Sequence, residues 1–180
     1  MTFMSKIVLA TTAVASIVAA HSVTFVNQDS TARKIVFTAT SGGAAIPSID
    51  VAGSGTATQS FPDSWIGNWY SVSEGAQDTP GMLGEVSFDS WQGITFFDVS
   101  AIVNPNDHNG VKELYPKNSK SPMSGCQTFP CSNAYNNPDD IATLSTTEQD
   151  LVCLIGNLNN PSKRDRPTKF SHDFVDGRVH

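Results

Sequence analysis

The sequence predicts an all-β protein, a β-sandwich with few helices. Short segments in which apolar and polar residues alternate recur along the chain, as half-buried strands require. Gly- and Asn-containing turns separate these segments, and only 16% of the residues are charged. This composition suits an extracellular sheet protein better than a helical cytosolic one. The single weak helix candidate is 139–145, which follows Pro138 and begins with two acidic residues.

The first twenty residues have the features of a secretory signal peptide. Lys6 supplies a positive charge, and residues 7–20 are small or apolar without any charge. This stretch is shorter than the ~20 residues that a membrane-spanning helix needs. Val18-Ala19-Ala20 has the small residues that a signal peptidase recognises. We therefore expect a secreted protein, with no membrane contact after cleavage. His21 would then be the first mature residue, unless cleavage follows Ala19.

The predicted strands follow in order from residue 23. VTFVNQ and KIVFTA alternate clearly, and Gly-rich turns then surround IDVA and separate it from ATQSF. GEVSFD precedes GITFFDVSAIV, the longest apolar run after the signal peptide. Its length favours a central strand that is packed on both faces. DLVCLIG is the last strand candidate. The core predicted from these segments consists of Phe25, Phe37, Phe88, Ile94, Phe96 and Val99.

Residues 21–156 are predicted to form one domain, and residues 157–180 a disordered tail. From 157 onward the chain is polar, charged and aperiodic, so it offers too little apolar surface to offset the cost of ordering it. The domain contains three cysteines, Cys126, Cys131 and Cys153. In an oxidising compartment two of them should form a disulfide, and the sequence alone does not decide which two.

The net charge and the distribution of basic residues argue against a nucleic-acid partner. The net charge is −6, and the basic residues do not cluster as a nucleic-acid-binding face requires. No G-x-S-x-G motif of a serine hydrolase is present. We therefore expect no nucleic-acid partner. We also expect the protein to be a monomer. Whether the protein is an enzyme stays open at this stage.

Three blocks of the sequence resemble the thaumatin-like superfamily, in a small fungal secreted form of a kind often labelled DNase-like. VTFVNQDSTARKIVF is similar to that family's first hairpin, with Asp29 at the position of a cysteine. LGEVSFDSWQGITFFDVSAIV is similar to its central block, and CSNAYNNPDD followed by LVC to its ending. The resemblance implies a thaumatin-like β-sandwich that binds β-glucan or another cell-wall polysaccharide. Glu85 and Asp98 match two acids of the family's cleft, which makes them weak catalytic candidates.

A second hypothesis is a copper site at the mature N-terminus. A free His21 would offer an α-amine and an imidazole nitrogen, and a second histidine would complete a three-nitrogen histidine brace, a ligand set that copper(II) favours. His108 is the only other histidine before residue 157, and Asp107 or Tyr115 could supply an axial oxygen. The protein would then be a copper carrier or a polysaccharide-active oxidase. The alternative is a non-catalytic polysaccharide-binding protein.

Aromatic residues provide the last candidate site. Trp65 and Trp69 lie four residues apart, and Tyr70 follows directly. Such side chains can stack on the faces of sugars, and we take these three as weak carbohydrate-binding candidates. Large aromatic residues are more often part of a core, which is the competing interpretation.

Overall fold

The computed structural model describes residues 21–158, and these residues form a two-sheet, all-β fold. The predicted signal peptide and the tail from residue 159 onward lie outside the described residues. One 3-10 turn, Trp91–Gly93, is the only helical element within 21–158. The strands are β1 (His21–Asn27), β2 (Arg33–Ala39), β3 (Ile49–Val51), β4 (Thr56–Phe61), β5 (Ile66–Ser73), β6 (Leu83–Ser87), β7 (Thr95–Ser100), β8 (Val111–Pro116), β9 (Ser124–Gly125), β10 (Leu144–Thr146) and β11 (Asp150–Ile155).

The all-β prediction is therefore confirmed, and the helix candidate is wrong. Residues 139–143 are irregular, and β10 begins at Leu144. The acidic residues that suggested a helix start have another role. The Asp140 carboxylate accepts hydrogen bonds from the backbone amides of Asn136 and Asn137, each at 2.8 Å. Asp140 thus closes a turn, as short polar side chains do when they compete with helical hydrogen bonds.

One sheet brings the two ends of the domain together. It has the strand order β4-β1-β11-β8-β9, in which β1 and β11 are parallel neighbours with Phe25 opposite Cys153. The other pairs of this sheet are antiparallel. Alternate residues of β1 and β11 are buried, which follows from the period of two in a strand that has one face on the core.

The other sheet has six antiparallel strands in the order β10-β7-β6-β5-β2-β3. Its inner face carries Trp69, Val86 and Phe97, which belong to the core between the sheets. On its outer face Glu85 of β6 lies directly opposite Asp98 of β7. Consecutive side chains of a strand point to opposite faces, so Phe96 and Asp98 share the outer face.

Aromatic side chains pack against one another in the centre of the core. Trp69 packs edge-on against Phe25, with ring centroids 5.6 Å apart, and Phe61 also contacts Trp69. Phe25, Phe88 and Val99 are buried as predicted, and Phe37 packs against the core from its edge.

Two residues of the predicted core were assigned wrongly. Ile94 and Phe96 are only partly buried, and Phe97 occupies the core instead of Phe96. A shift of one residue moves a strand's whole apolar set to the other face. In the continuous run ITFFDV, composition alone could not show which residues of the strand face the core.

A buried arginine holds one end of the sandwich together. Arg33, at the start of β2, is 3% exposed. Its guanidinium donates two hydrogen bonds to the Asp29 carboxylate, at 2.7 and 2.9 Å, and one to Asn27 Oδ1 at 2.7 Å. Its Nε–H donates to the carbonyl of Asn109 at 3.2 Å. The Arg33 hydrogen bond is the main reason that the pKa of Asp29 is lowered to about 2. We call these residues, with the Thr31 carbonyl that also accepts from Arg33, the Arg33 clamp.

Asn157 belongs to the fold, although the sequence placed it in the tail. Its backbone amide donates to Asp29 Oδ2 at 2.9 Å, and its side-chain amide donates to Asn109 Oδ1 at 2.6 Å. Asn157 therefore continues the Arg33 clamp beyond the last strand.

The disulfide joins Cys126 to Cys131. The third cysteine, Cys153, is buried in the core, where the indole N–H of Trp69 donates to its sulfur at 3.4 Å, and burial raises its pKa to about 12. A disulfide indicates an oxidising compartment, because cytosolic thiols are kept reduced. Among the described residues there is no helix of the length and apolarity that crossing a membrane requires.

Candidate functional site

A groove of about 410 Å³ lies on the outer face of the six-stranded sheet. Three neighbouring strands, β5, β6 and β7, form its floor, and the loop from 135 to 143 forms one wall. We call it the Asp98 groove. The residues that supply its polar groups and its apolar faces are Ile66, Asn68, Glu85, Ser87, Phe96, Asp98, Tyr135 and Thr143.

The wall of the groove is fixed to β7 by backbone hydrogen bonds. The amide of Tyr135 donates to the Val99 carbonyl at 2.9 Å, and the amide of Ala101 donates to the Tyr135 carbonyl at 2.7 Å. This short parallel bridge holds Tyr135 beside Ser100. The loop can therefore present side chains over the sheet in one arrangement.

Glu85 and Asp98 form an acid pair on the groove floor. They are cross-strand partners, which places their Cβ atoms about 4.5–5.5 Å apart. Asp98 is 8% exposed, and Glu85 is partly buried. Burial, followed by the charge of Glu85, raises the pKa of Asp98 to about 7, and burial also raises the pKa of Glu85. Near neutrality the pair therefore retains a proton that two exposed acids would have lost.

The hydrogen-bond arrangement leaves one oxygen of this pair free. Thr143 Oγ1 donates to Asp98 Oδ2 at 3.2 Å, and the hydroxyls of Tyr135 and Thr143 lie 2.9 Å apart. Apart from the proton that the acid pair itself retains, Asp98 Oδ1 is buried with no hydrogen-bond partner within residues 21–158. Buried polar atoms are nearly always paired, so an unpaired one in a groove points to a hydrogen bond with a ligand. The site can therefore accept hydrogen bonds from a polar neutral molecule and donate hydrogen bonds to it. The acid pair can also exchange a proton with such a molecule.

The sequence predicted two members of this site and missed the others. Glu85 and Asp98 were proposed from family resemblance, and the structure brings them together. Asn68 was not predicted, although its position on the outer face of β5 follows from alternation. Tyr135 and Thr143 lie in an irregular loop, where no periodic pattern could assign them to the groove.

The structure separates the two residues of the predicted histidine brace. His21 begins β1, whereas His108 lies beside Asn109, which the Arg33 clamp connects to Asn27 at the other end of β1. Seven residues of strand span about 20 Å, so the two histidines lie at opposite ends of the sandwich. They cannot share one copper ion.

The proposed axial ligands have other roles. The Asp107 carboxylate accepts hydrogen bonds from the amides of Met82 and Asn109, at 2.8 and 3.0 Å, and so fixes its own loop. Tyr115 pairs with Val152 in the middle of the five-stranded sheet. Neither side chain lies at the His21 end of β1.

The aromatic carbohydrate candidates are core residues. Trp65 and Trp69 are fully or almost fully buried, and Tyr70 is 9% exposed with its hydroxyl donating to Asp78. Buried rings cannot stack on a sugar, so the competing core interpretation was correct. Trp91, at the tip of the β6–β7 hairpin, is the tryptophan that is exposed, at 68%.

A second groove of about 620 Å³ lies beside the edge strand β3. The exposed charged side chains on its rim are Lys34, Asp50, Glu74 and Asp78, and the buried Arg33, which also lines it, is already paired within the Arg33 clamp. Exposed charges are already solvated, and this groove has no unpaired buried polar atom comparable to Asp98 Oδ1. The Asp98 groove is therefore the better candidate site.

Fold and site together define a small disulfide-bonded β-sandwich protein with an acid pair in a groove on one sheet. No family model matches the chain. The chain is 54% identical over 135 residues to antigenic protein SchS21 of Stachybotrys chartarum, which covers 75% of this chain and 94% of that protein. The chain belongs to the family of that antigenic protein.

A solved structure has a similar fold. The protein elicitor MoHrip2 from Magnaporthe oryzae superimposes with a TM-score of 0.55 and 19% identity, over 76% of this chain and 99% of that one. These relatives overturn one prediction from the sequence. The thaumatin-like assignment is wrong, because both similar proteins belong elsewhere. The histidine brace with its copper ion is not supported by either of them.

Proposed function

We propose that the protein is secreted and acts at a cell wall or host surface, where the Asp98 groove binds a neutral polysaccharide without cleaving it. The observation that carries this proposal is the unpaired, buried Oδ1 of Asp98 beside Glu85 in an open groove. A sugar hydroxyl can donate to that oxygen and accept from a neighbouring donor at the same time. The protein would thus recognise its ligand by hydrogen bonds from a rigid sheet.

The negative charge of the protein and of its groove favours a neutral ligand. The chain carries a net charge of −6, and the floor of the groove is an acid pair. An anionic polymer would bring further negative charge next to two carboxyl groups, which costs free energy in a partly buried site. A neutral glucan avoids this cost, and its apolar ring faces can pack on Phe96 and Ile66.

Secretion is supported by two further observations. The Cys126–Cys131 disulfide fits an oxidising compartment, and the first twenty residues match a signal peptide. The family also includes a protein named for its antigenicity, which suits a protein that meets a host from outside.

The proposal is tested by titrating the purified protein with a soluble neutral β-glucan oligosaccharide in a calorimeter at pH 5. We expect binding that Glu85→Gln weakens about tenfold, because the loss of a charge-assisted hydrogen bond costs about 1.4 kcal/mol. Glu74→Gln is the matched control, since it makes the same chemical change in the second groove and should leave the affinity unchanged.

Three results would contradict the proposal. Equal affinities of the wild type and Glu85→Gln would place the ligand elsewhere, and no binding of any neutral glucan would exclude the ligand class. Release of reducing ends from the oligosaccharide would show turnover, and the protein would then be a hydrolase rather than a binding protein.

A further inference from the structure

A histidine and two aspartates converge at the end of the sandwich opposite to the Arg33 clamp. His21 begins β1 and pairs with Phe61, the last residue of β4, and Asp63 follows two residues later. Asp89 lies in the β6–β7 hairpin. One ligand atom from each of the three side chains lies within 4.8 Å of the others. Three separate segments thus bring one imidazole nitrogen and two carboxylate oxygens to one place.

The imidazole of this cluster is held rigidly. His21 is 1% exposed and stacks on Phe88, with ring centroids 4.5 Å apart and planes at 21°. Its Nε2 lies 2.7 Å from Asp89 Oδ2. Its Nδ1 is buried and has no partner within residues 21–158. Nε2 is therefore the nitrogen that faces the carboxylates, and the buried, stacked ring holds it in one orientation.

The two carboxylates beside Nε2 point to a cation as their common partner. One divalent cation balances the two negative charges of Asp63 and Asp89. We propose that His21, Asp63 and Asp89 form a binding site for a divalent transition-metal ion of the zinc class.

Zinc suits this donor set. It binds histidine nitrogen and aspartate oxygen at about 2.0–2.2 Å, which places ligand atoms roughly 3–3.5 Å apart in a tetrahedral site. The observed separations of at most 4.8 Å contract to this range when the exposed Asp63 side chain turns inward. Calcium is less suitable, because it requires six to eight oxygen ligands. An ion can enter from solvent, since the Asp89 side chain is 31% exposed.

The site is tested with Zn²⁺ alone, by calorimetry on the metal-free protein. We expect micromolar or tighter binding, which Asp63→Asn and Asp89→Asn each weaken at least tenfold. Asp63 is exposed, so its substitution leaves the core untouched. Asp89 has a φ of 43°, a backbone conformation that asparagine also adopts readily. Both variants should therefore fold, and Asp139→Asn, in an exposed loop, is the control with unchanged affinity.

Cobalt(II) gives a second readout. Its visible absorption should report a low-coordinate site in the wild type and lose that signature in the Asp63→Asn/Asp89→Asn double variant. The proposal is overturned if Zn²⁺ does not bind in the micromolar range. It is also overturned if the double variant keeps the wild-type affinity, because the ion would then be held by a simple N-terminal chelate.

Discussion

Replacement of Arg33 by methionine is expected to destabilise the domain by about 3–5 kcal/mol, because a buried ion pair that loses one partner leaves the other charge uncompensated. Arg33 is 3% exposed, and its guanidinium satisfies the carboxylate of Asp29, the side chain of Asn27 and the carbonyl of Asn109. Each of these acceptors would lose its hydrogen bond from Arg33, and the Asp29 carboxylate would keep only the backbone amides of Thr31 and Asn157 as donors. Urea denaturation at pH 7 measures the loss.

The neighbouring residue provides the control. Lys34→Met makes a comparable chemical change at an exposed position of the same strand, where about ±0.5 kcal/mol is the usual range. A loss below 1 kcal/mol for Arg33→Met would show that water replaces the guanidinium without cost. The double variant Asp29→Asn/Arg33→Met should recover part of the loss, since it removes both charges.

The pH dependence of the Arg33 clamp follows from the lowered pKa of Asp29. In the folded protein this pKa is about 2, whereas the usual value is 3.8. The stability contributed by the ionised carboxylate is therefore fully present above pH 4 and is lost as the pH falls towards 2. In Arg33→Met this acid-dependent loss should be much smaller, which separates a charge effect from a packing effect.

The strands could be predicted from the sequence because a sheet with one buried face imposes a period of two. That pattern correctly predicted the positions of β1, β2 and β11 and the burial of Phe25 and Val99. It failed where the pattern was continuous, as at Phe96 and Phe97, because a uniform apolar run does not reveal which residues face the core. It also gave no sign of the parallel pairing between β1 and β11, which joins residues about 130 positions apart.

The candidate sites could be predicted less well, because they depend on which ends of the strands meet. His21 was predicted to be a metal ligand from its place after the signal peptide, and the partner predicted for it was His108. The chain order contains no information that Asp63 and Asp89, rather than His108, lie at that end of β1. Arg33 was missed for a related reason, since a charged residue in a polar turn gives no signal of burial.

Asp98→Asn is expected to remove most of the pH dependence of stability between pH 4 and pH 8. Burial raises the pKa of Asp98 in the folded protein from 3.8 to about 7. A raised pKa means that the folded state binds the proton more tightly, so wild-type stability falls as the pH rises from 4 to 7 and is constant above that. The shift corresponds to a loss of about 4 kcal/mol at most, at 1.36 kcal/mol per pH unit.

Asparagine has the shape of aspartic acid without its charge, so the variant should match the wild type at pH 4 and be about 2–4 kcal/mol more stable at pH 8. Asp50→Asn, at an exposed position of the same sheet, should keep the wild-type profile. The loss of the proton from Asp98 should also change ligand binding. Wild-type affinity for the glucan should rise between pH 5 and pH 8, because the ionised carboxylate of Asp98 accepts the sugar hydroxyl more strongly than the protonated acid, while the affinity of Asp98→Asn should change little. A wild-type stability that rises with pH over this interval would show that Asp98 is already ionised in the folded protein at low pH, and that the acid pair does not share a proton.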